Sequence, residues 1–233
     1  MFKNLSVLTI VPARGGSKRV TGKNKRPIAG LPLISWTLKA CTACEYIDEI
    51  VVSTDDAQIK EIAQSEGVSR IQKRPANLAS DTSPTIDTVT DVIESLEQKG
   101  KYFDLIFLAQ PTSPLRTSEH ISSAFDLLTR KYPVSVVGVA QSPHPKEWQG
   151  YIGADGDMES FLSGTSLGQG SHTLPTSYVI NGAIYIAPRE LLLAEKTFFP
   201  PGRLTAFFMS ERDSIDIDTE LDFEIAEYLL SNR

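Results

Sequence analysis

The stretch from residue 5 to residue 24 reads LSVLTIVPARGGSKRVTGKN, and it decides the class of fold. Its first part, from Leu5 to Pro12, is apolar and rich in β-branched residues, which is typical of a strand buried on both faces. A polar, basic loop with glycines follows directly, from Ala13 to about Asn24. In α/β proteins ligands bind outside the carboxyl ends of parallel strands, so this loop is the first candidate for a binding site.

Outward from this stretch, apolar runs of strand type alternate with segments of helical periodicity. We predict further strands at 50–53, 105–109, 134–139, 178–186 and 204–209, one more before residue 74, and helices at 32–44, 57–65, 83–98, 118–128 and 220–230. This alternation predicts an α/β fold with a mostly parallel central sheet and helices on both faces. At 233 residues, we expect a single domain spanning 1–233.

The segment from about residue 141 to 177 does not follow this alternation. It is dominated by Pro, Gly, Ser and scattered polar residues, and it has no clear period. A long irregular insert in a compact domain is usually a functional loop or a separate flap. We therefore expect the insert to contribute to binding or assembly.

Composition and charge exclude several classes of protein. The net charge is -6, which argues against broad nucleic-acid binding. No run of about 18 apolar residues is present, so we expect no membrane span. The N-terminal residues do not resemble a signal peptide, and we expect a cytoplasmic protein. Cys41 and Cys44 could form a redox pair or half of a zinc site, but no second ligand pair follows, which favours ordinary thiols.

The loop after the first strand concentrates positive charge in an acidic chain. Residues 14–19 read RGGSKR, and residues 23–26 read KNKR. Glycines allow several backbone N–H groups to point at one anion, and Arg and Lys side chains bind phosphate oxygens. The loop matches neither a Walker A motif nor a dinucleotide fingerprint. It therefore favours a triphosphate site of another kind, with a solvated basic turn as the alternative.

Asp216 and Asp218 are alternate residues on a segment that we predict to be extended, so their side chains would share one face. Two carboxylates on one face repel each other unless a cation lies between them. Mg²⁺ binds one or two carboxylates together with phosphate oxygens and water. The pair therefore predicts a site for Mg²⁺, with Mn²⁺ as an alternative ion, whereas Asp222 is interpreted as a cap of the last helix.

Six short motifs follow one another along the chain. They are RGGSKRVTGKN (14–24), STDD (53–56), RPANLASD (74–81), LAQPTSPLR (108–116), NGAIY (181–185) and DID (216–218). Their order and content resemble the acylneuraminate cytidylyltransferase family, which includes the CMP-legionaminate and CMP-pseudaminate synthetases. The resemblance covers essentially the whole chain.

This resemblance implies a Rossmann-like nucleotidyltransferase fold with a small dimerisation flap formed by the insert. The implied reaction transfers CMP from CTP to the anomeric hydroxyl of an acidic nine-carbon 2-keto sugar and releases pyrophosphate, and the implied assembly is a homodimer. The implied catalytic residues are Arg14, Lys23, Asp216 and Asp218, of which the two aspartates bind the metal. The implied nucleotide contacts are Arg14, Gly15, Gly16, Ser17, Lys23, Asn24, Arg74, Ser80 and Thr85. The implied acceptor contacts are Gln110, Thr112, Ser113, Lys146, Asn181, Tyr185, Phe198 and Phe199, with the two phenylalanines reaching the neighbouring subunit's site.

Two positions depart from the bacterial sialic-acid members of the family. An Arg-Gln pair can stand where this chain has Ser171-His172, and an arginine can stand where it has Val179. Both changes remove positive charge that could hold a sugar carboxylate. N-acetylneuraminate therefore loses support as the acceptor, and legionaminate or pseudaminate become candidates.

Three other functions remain open on the sequence. The nearest is a nucleotidyltransferase that uses UTP or a phosphorylated sugar. A binding or scaffold protein without activity would have little use for the Asp216 and Asp218 pair. An oxidoreductase is disfavoured because the glycine fingerprint is missing, although Asp55 ends a strand as a ribose-binding acid does.

Overall fold

A computed structural model describes residues 1–80, 82–131, 133–159 and 168–233. The strands are β1 (Val7–Pro12), β2 (Pro27–Ile28), β3 (Leu31–Pro32), β4 (Glu49–Thr54), β5 (Arg70–Lys73), β6 (Leu105–Leu108), β7 (Ser135–Gln141), β8 (Tyr178–Pro188) and β9 (Leu204–Phe208). The helices are α1 (Leu33–Thr42), α2 (Ala57–Ser65), α3 (Thr85–Glu97), α4 (Ser118–Lys131), α5 (Arg189–Glu195) and α6 (Glu220–Ser231).

Seven of these strands form one sheet in the described part of the chain, in the order β5-β4-β1-β6-β8-β7-β9. β1 pairs in parallel with β4 and β6, β4 with β5, and β7 with β9. Only β8 runs in the opposite direction, antiparallel to both β6 and β7. The predicted, mostly parallel sheet is confirmed, and the short β2 and β3 form a separate hairpin.

Helices cover both faces of the sheet, as predicted. Successive side chains of a strand point to opposite faces, and β1 divides its apolar residues accordingly. Val7 and Val11 pack in the core that includes α1, α2 and α4. Leu8 and Ile10 pack in a second core that includes α3 and α5. This double burial explains the continuous apolar run of the sequence.

Several boundaries differ from the sequence prediction for local reasons. β1 begins at Val7 rather than Leu5, because Lys3 and Asn4 have positive φ and form a turn that closes with a bridge between Phe2 and Leu5. α3 begins at Thr85, after Pro84 at its N-cap. Helix α5 was not predicted, because it has only seven residues and too little length to show a helical period.

The two cysteines are free, and both are buried. Burial raises the pKa of the Cys41 thiol to about 12, which keeps it protonated and unreactive at neutral pH. Their interpretation as ordinary thiols agrees with this environment. Within the described ranges, no helix has the length and apolar character that a bilayer span requires.

Candidate active site

A cleft of about 310 Å³ opens at the carboxyl ends of β1 and β6. It brings together side chains from the basic loop, from the turn after β5, from the start of α3, and from the loop after β6. The predicted site residues that line it are Arg14, Ser17, Lys23, Asn24, Arg74, Ser80, Thr85, Gln110, Thr112 and Asp218. These residues are far apart in the chain, and the parallel sheet collects them because consecutive strands end at the same edge.

The basic loop is held in place by the two aspartates that follow β4. The Gly15 amide donates a hydrogen bond to Oδ1 of Asp55 at 2.9 Å. Lys25 forms an ion pair with Asp56 at 2.7 Å, and Asp56 also caps α2 by accepting from two of its amides. Asn24 donates from its side chain to the Arg14 carbonyl at 2.9 Å. The loop is therefore shaped before any ligand binds.

Not all of the positive charge in this loop faces the cleft. Lys25 is neutralised by Asp56. Arg26 pairs with Glu220 and stacks at 4.1 Å on the Phe223 ring of α6. These two side chains fasten the loop to α2 and α6. The charged side chains of the loop that line the cleft are Arg14, Lys18, Arg19 and Lys23.

The opposite wall of the cleft is built from the turn after β5 and the first turn of α3. Arg74 is buried and donates to the Ser53 carbonyl at 3.0 Å and to its hydroxyl at 3.3 Å. Burial lowers the pKa of the Arg74 guanidinium, against the opposing charge of Asp55. The Ser80 and Ser83 hydroxyls are 2.6 Å apart, and both line the cleft with Thr85. Asp81, the last residue of the 74–81 motif, lies outside the described residues.

Lys23 and Asp218 meet at the mouth of the cleft. The Lys23 ammonium lies 3.8 Å from Oδ1 of Asp218, and Arg19 lies 3.2 Å from the same oxygen. Burial lowers the pKa of Lys23, while the charges of Asp218 and Asp216 oppose that effect. The arrangement places a positive group and a carboxylate side by side. A phosphate oxygen can replace Asp218 as the partner of Lys23, and a cation can replace Lys23 as the partner of Asp218.

Asp216 is half-buried beside Thr112 and Gly182. Burial raises the pKa of its carboxyl group, the Thr112 hydrogen bond opposes this, and the charge of Asp218 adds to it. Its Oδ1 atom is buried and has no hydrogen-bond partner among the residues that the structure describes. An unsatisfied carboxylate oxygen beside a second carboxylate is a suitable ligand set for a hard divalent cation. In the described ranges, no group of three or more Asp, Glu, His or Cys side chains could hold a metal.

The segment that carries the two aspartates is extended but is not a strand. Ile217 lies between them, is fully buried, and donates its amide to the Thr112 carbonyl at 2.9 Å. Asp222 accepts from the backbone of Thr219 and Asp218 and forms a capping box with Thr219. The interpretation of Asp222 as a helix cap is confirmed.

Within β8 the register with β7 shifts around Gly182, and this irregular point, which we call the Gly182 turn, lies beside the Gln110 side chain. Gly182 has φ of +73°, and a Cβ atom there would come within 3.0 Å of Asp216 Oδ2 and 3.3 Å of Gln110 Oε1. Tyr185, three residues further along β8, is half-buried, and burial raises its pKa to about 12. Gln110, Gly182, Tyr185 and Asp216 therefore surround one region next to the nucleotide cleft.

Several predicted acceptor contacts do not face the cleft. Asn181 is buried, and its side chain bonds to Ser214, to Met209 and to the Ala183 amide. Ser113 is buried and donates to the Asn181 carbonyl at 3.3 Å. Both side chains are used to fix the loop and the turn, and their direct contact with substrate stays a prediction.

Three more predicted acceptor residues lie elsewhere than expected. Phe198 is buried in its own chain against Tyr185, whereas Phe199 is exposed beside the same tyrosine, and their reach into a neighbouring subunit's site stays a prediction. Lys146 is exposed and lines a separate depression under the insert. Gly16 is exposed and, like Gly15, does not line the cleft. The part of the insert at 160–167 lies outside the described residues.

The sequence analysis assigned no site role to several residues whose importance is visible only from these contacts. Asp55 and Asp56 shape the loop, and Ser83 and Thr88 line the cleft from the start of α3. The signal for the aspartates was their position directly after a buried strand. Ser83 and Thr88 gave no signal of their own, since polar residues are common at the start of a helix.

Comparisons with known proteins agree with this geometry. A family model described as Cytidylyltransferase matches residues 8–147. The chain belongs to the cytidylyltransferase family. It is 37% identical to a CMP-N,N'-diacetyllegionaminic acid synthase of Legionella pneumophila subsp. pneumophila, over 97% of each chain. It is 33% identical to an N-acylneuraminate cytidylyltransferase of Escherichia coli O18:K1:H7, over 94% of this chain and 51% of that protein.

The fold of this cytidylyltransferase has counterparts among solved structures. One is a CMP:2-keto-3-deoxy-manno-octonic acid synthetase complexed with CTP, with a TM-score of 0.71. It covers 97% of this chain and 99% of that one, at 16% identity, a level that speaks to the fold alone. The predicted nucleotidyltransferase fold is thereby confirmed.

Proposed function

We propose that this cytidylyltransferase transfers CMP from CTP to the anomeric hydroxyl of an acidic nine-carbon 2-keto sugar and releases pyrophosphate. The observation that carries the proposal is the cleft itself. Its basic loop, the Arg74 wall and the Gln110 loop meet in one space, with Asp218 at the mouth. That arrangement suits a nucleoside triphosphate on one side and a polar acceptor on the other.

The basic loop would hold the triphosphate. Arg14, Lys23 and Ser17 line the cleft together, and charge-assisted hydrogen bonds to phosphate are stronger than neutral ones. Arg74, Ser80 and Thr85 would contact the nucleoside on the opposite wall. Because the Arg74 guanidinium is already fixed by Ser53, it offers a preorganised donor rather than a mobile one.

In the reaction, the anomeric oxygen of the sugar forms a bond to the α-phosphorus of CTP. The bond from that phosphorus to the oxygen bridging to the β-phosphate breaks, and pyrophosphate leaves. Nucleotidyl transfer depends on alignment and on neutralising charge more than on covalent catalysis. Arg14 and Lys23 would stabilise the charge that develops on the phosphates, and Gln110 would orient the acceptor.

We also propose that Asp216 and Asp218 bind Mg²⁺, with Mn²⁺ as an alternative. The unpartnered Oδ1 of Asp216 and the neighbouring Asp218 supply oxygen ligands that suit this ion. When bound, such an ion neutralises phosphate charge and acidifies a coordinated hydroxyl. Turnover is expected to stop in EDTA and to resume with excess Mg²⁺ or Mn²⁺; undiminished turnover in EDTA would contradict the assignment.

Among acceptors, N,N'-diacetyllegionaminic acid is the first candidate. Support comes from the Legionella relative, which the chain matches over almost its full length. Ser171, His172 and Val179 also lack the positive charge that sialic-acid members can carry at these positions. N-acetylneuraminate and pseudaminate are the alternatives.

The assembly that we propose is a homodimer acting in the cytoplasm. Beyond the core, β8 pairs with the end of β7 and exposes a run of apolar side chains, Tyr178, Val179 and Ile180. Phe208 of the edge strand β9 is exposed beside Tyr178, with ring centroids 5.2 Å apart. Exposed apolar patches of this kind are typical of interfaces, and the patch adjoins the 141–177 insert.

A substrate panel tests the reaction. Pyrophosphate release is measured with CTP, UTP, ATP or GTP, each combined with N,N'-diacetyllegionaminic acid, N-acetylneuraminate or pseudaminate, and the product is identified by mass spectrometry. We expect turnover with CTP and the highest kcat/KM with the legionaminate. Turnover with UTP and a phosphorylated sugar, and none with CTP and these acids, would sink the proposal.

A further inference from the structure

Arg116 is an arginine whose side chain lies inside the protein. It follows the Gln110 loop, and only 2% of its surface is exposed. Among the described residues, its hydrogen-bond acceptors are two carbonyls and one hydroxyl, and no carboxylate is among them. Burial of a charge without a carboxylate partner is costly, so a side chain of this kind needs a reason beyond filling space.

The guanidinium joins two segments that face each other across the acceptor region. Nη1 donates to the Ala183 carbonyl at 2.7 Å, directly after the Gly182 turn. Nη2 donates to the Gln110 carbonyl at 3.1 Å and to the Thr37 hydroxyl at 2.7 Å. Two different nitrogens therefore reach the two segments, which is a task for the planar fork of an arginine.

These two segments determine where the acceptor groups stand. A Cβ atom on Gly182 would come within 3.3 Å of Gln110 Oε1 and 3.0 Å of Asp216 Oδ2, so the turn, the glutamine and the aspartate are in close contact. Ser113 adds a second link, because its hydroxyl donates to the Asn181 carbonyl. A shift of either segment would therefore move Gln110 relative to the reacting phosphate.

We propose that Arg116 is a positioning residue for the acceptor sugar, acting by holding the Gln110 loop and the Gly182 turn at a set separation. It does not touch the substrate. The proposal rests on the proposed function, in which Gln110 contacts the acceptor. Among the described residues, its hydrogen bonds reach neither the Arg74 wall nor the basic loop, so we expect the affinity for CTP alone to depend on Arg116 less than acceptor binding does.

The test compares Arg116→Met and Arg116→Lys with the wild-type chain. Met keeps most of the volume and removes the bonds, whereas Lys keeps the charge but donates from a single nitrogen. We expect both variants to raise the KM for the acceptor or lower kcat by about 10-fold to 100-fold, as a misplacement near 1 Å can do. The affinity for CTP without acceptor, measured by calorimetry, is expected to stay within about twofold, because Arg116 donates to neither the basic loop nor the Arg74 wall.

Leu128→Ala is the matched control for a loss of stability alone. Leu128 is buried in α4, packs in the core that contains Phe107, and takes no part in the hydrogen bonds of Arg116. It is expected to lower Tm while acceptor KM and kcat remain unchanged well below Tm. If the Arg116→Met variant does not fold, the kinetics of the Arg116→Lys variant decide the test.

Two results would overturn the inference. One is an Arg116 variant with a lower Tm but wild-type acceptor kinetics, as in the Leu128→Ala control. The other is a parallel loss of CTP and acceptor binding. Failure of the wild-type chain on every acceptor would instead refute the proposed function, and the inference with it.

Discussion

Gly15 is the residue on which the position of the basic loop depends most directly. A Cβ atom there would lie 2.7 Å from Asp56 Oδ2 and 2.9 Å from Asp56 Cβ. Asp56 cannot move aside freely, because it pairs with Lys25 and caps α2. We expect Gly15→Ala to lower the free energy of unfolding by about 1–3 kcal/mol, the usual cost of overpacking. Urea denaturation measures this change.

Gly16 supplies the control for that substitution. A Cβ atom on Gly16 meets nothing within 4 Å in the protein. Gly16→Ala is therefore expected to change the free energy of unfolding by no more than about 0.5 kcal/mol. Equal losses for the two variants would show that the contact with Asp56 is not what requires glycine at position 15.

Lys23 lies in the cleft, and its pKa is subject to two opposing effects. Burial lowers its pKa, while Asp218 and Asp216 oppose that effect. Lys23 is proposed to neutralise the triphosphate, so its main effect should be on the negative charge that develops on the phosphates during the reaction. We expect Lys23→Gln to lower kcat by about 100-fold to 1,000-fold, the usual cost of removing one such donor. Pyrophosphate release measures it, and Lys60→Gln, an exposed lysine of α2, should retain wild-type activity.

At the scale of elements, the first and central strands are joined by a carboxylate at their amino ends. Asp104 stands before β6 and accepts from the amide and the hydroxyl of Ser6, both at 2.7 Å. These hydrogen bonds lower the pKa of Asp104. A carboxyl group with a lowered folded-state pKa adds stability above its unfolded-state pKa, and this stability is lost as the pH falls through the folded-state pKa.

Asp104→Asn is therefore expected to destabilise the protein in a pH-dependent way. At pH 7 the free energy of unfolding should fall by about 1 kcal/mol, a value reduced because the group is exposed. Below the unfolded-state pKa of about 3.9 the difference from wild type should shrink. Denaturation at several pH values tests this, with Glu61→Gln on α2 as the exposed control. A difference that grows in acid would contradict the sign of the pKa shift.

At the scale of the whole molecule, the exposed end of the β7 and β8 pair is the candidate dimer contact. Ile180 is 52% exposed within it. A charge buried in an apolar interface is strongly unfavourable, so Ile180→Asp is expected to convert a dimer to a monomer. Sedimentation velocity measures the mass. Tyr228→Asp, at an exposed position of α6, should not change it; a monomeric wild-type chain would refute the dimer.

The sheet and the basic loop could be predicted because their signals are local. The apolar run before the basic loop identified β1, and alternation identified the α/β class. Arg14, Lys23 and Asp218 were predicted because their residue types suit phosphate and metal binding. Arg14 and Lys23 also lie in the loop that directly follows the first strand. The helix α5 and the direction of β8 were not predicted, because a short segment has no readable period and an apolar run does not reveal its direction.

The sequence by itself determined the class of fold, the basic loop and the pair of acidic residues, since each depends on residues that are neighbours in the chain. Tertiary structure alone decided which side chains face a ligand. Arg26 is paired with Glu220 and Asn181 with Ser214, so neither is free for the roles that its motif suggested. The positioning role proposed for Arg116 depends on the fold, which brings the carbonyls of Ala183 and Gln110 to its guanidinium. The physical reason is that hydrogen bonds and burial are fixed by proximity in space, which a local pattern of residue types does not encode.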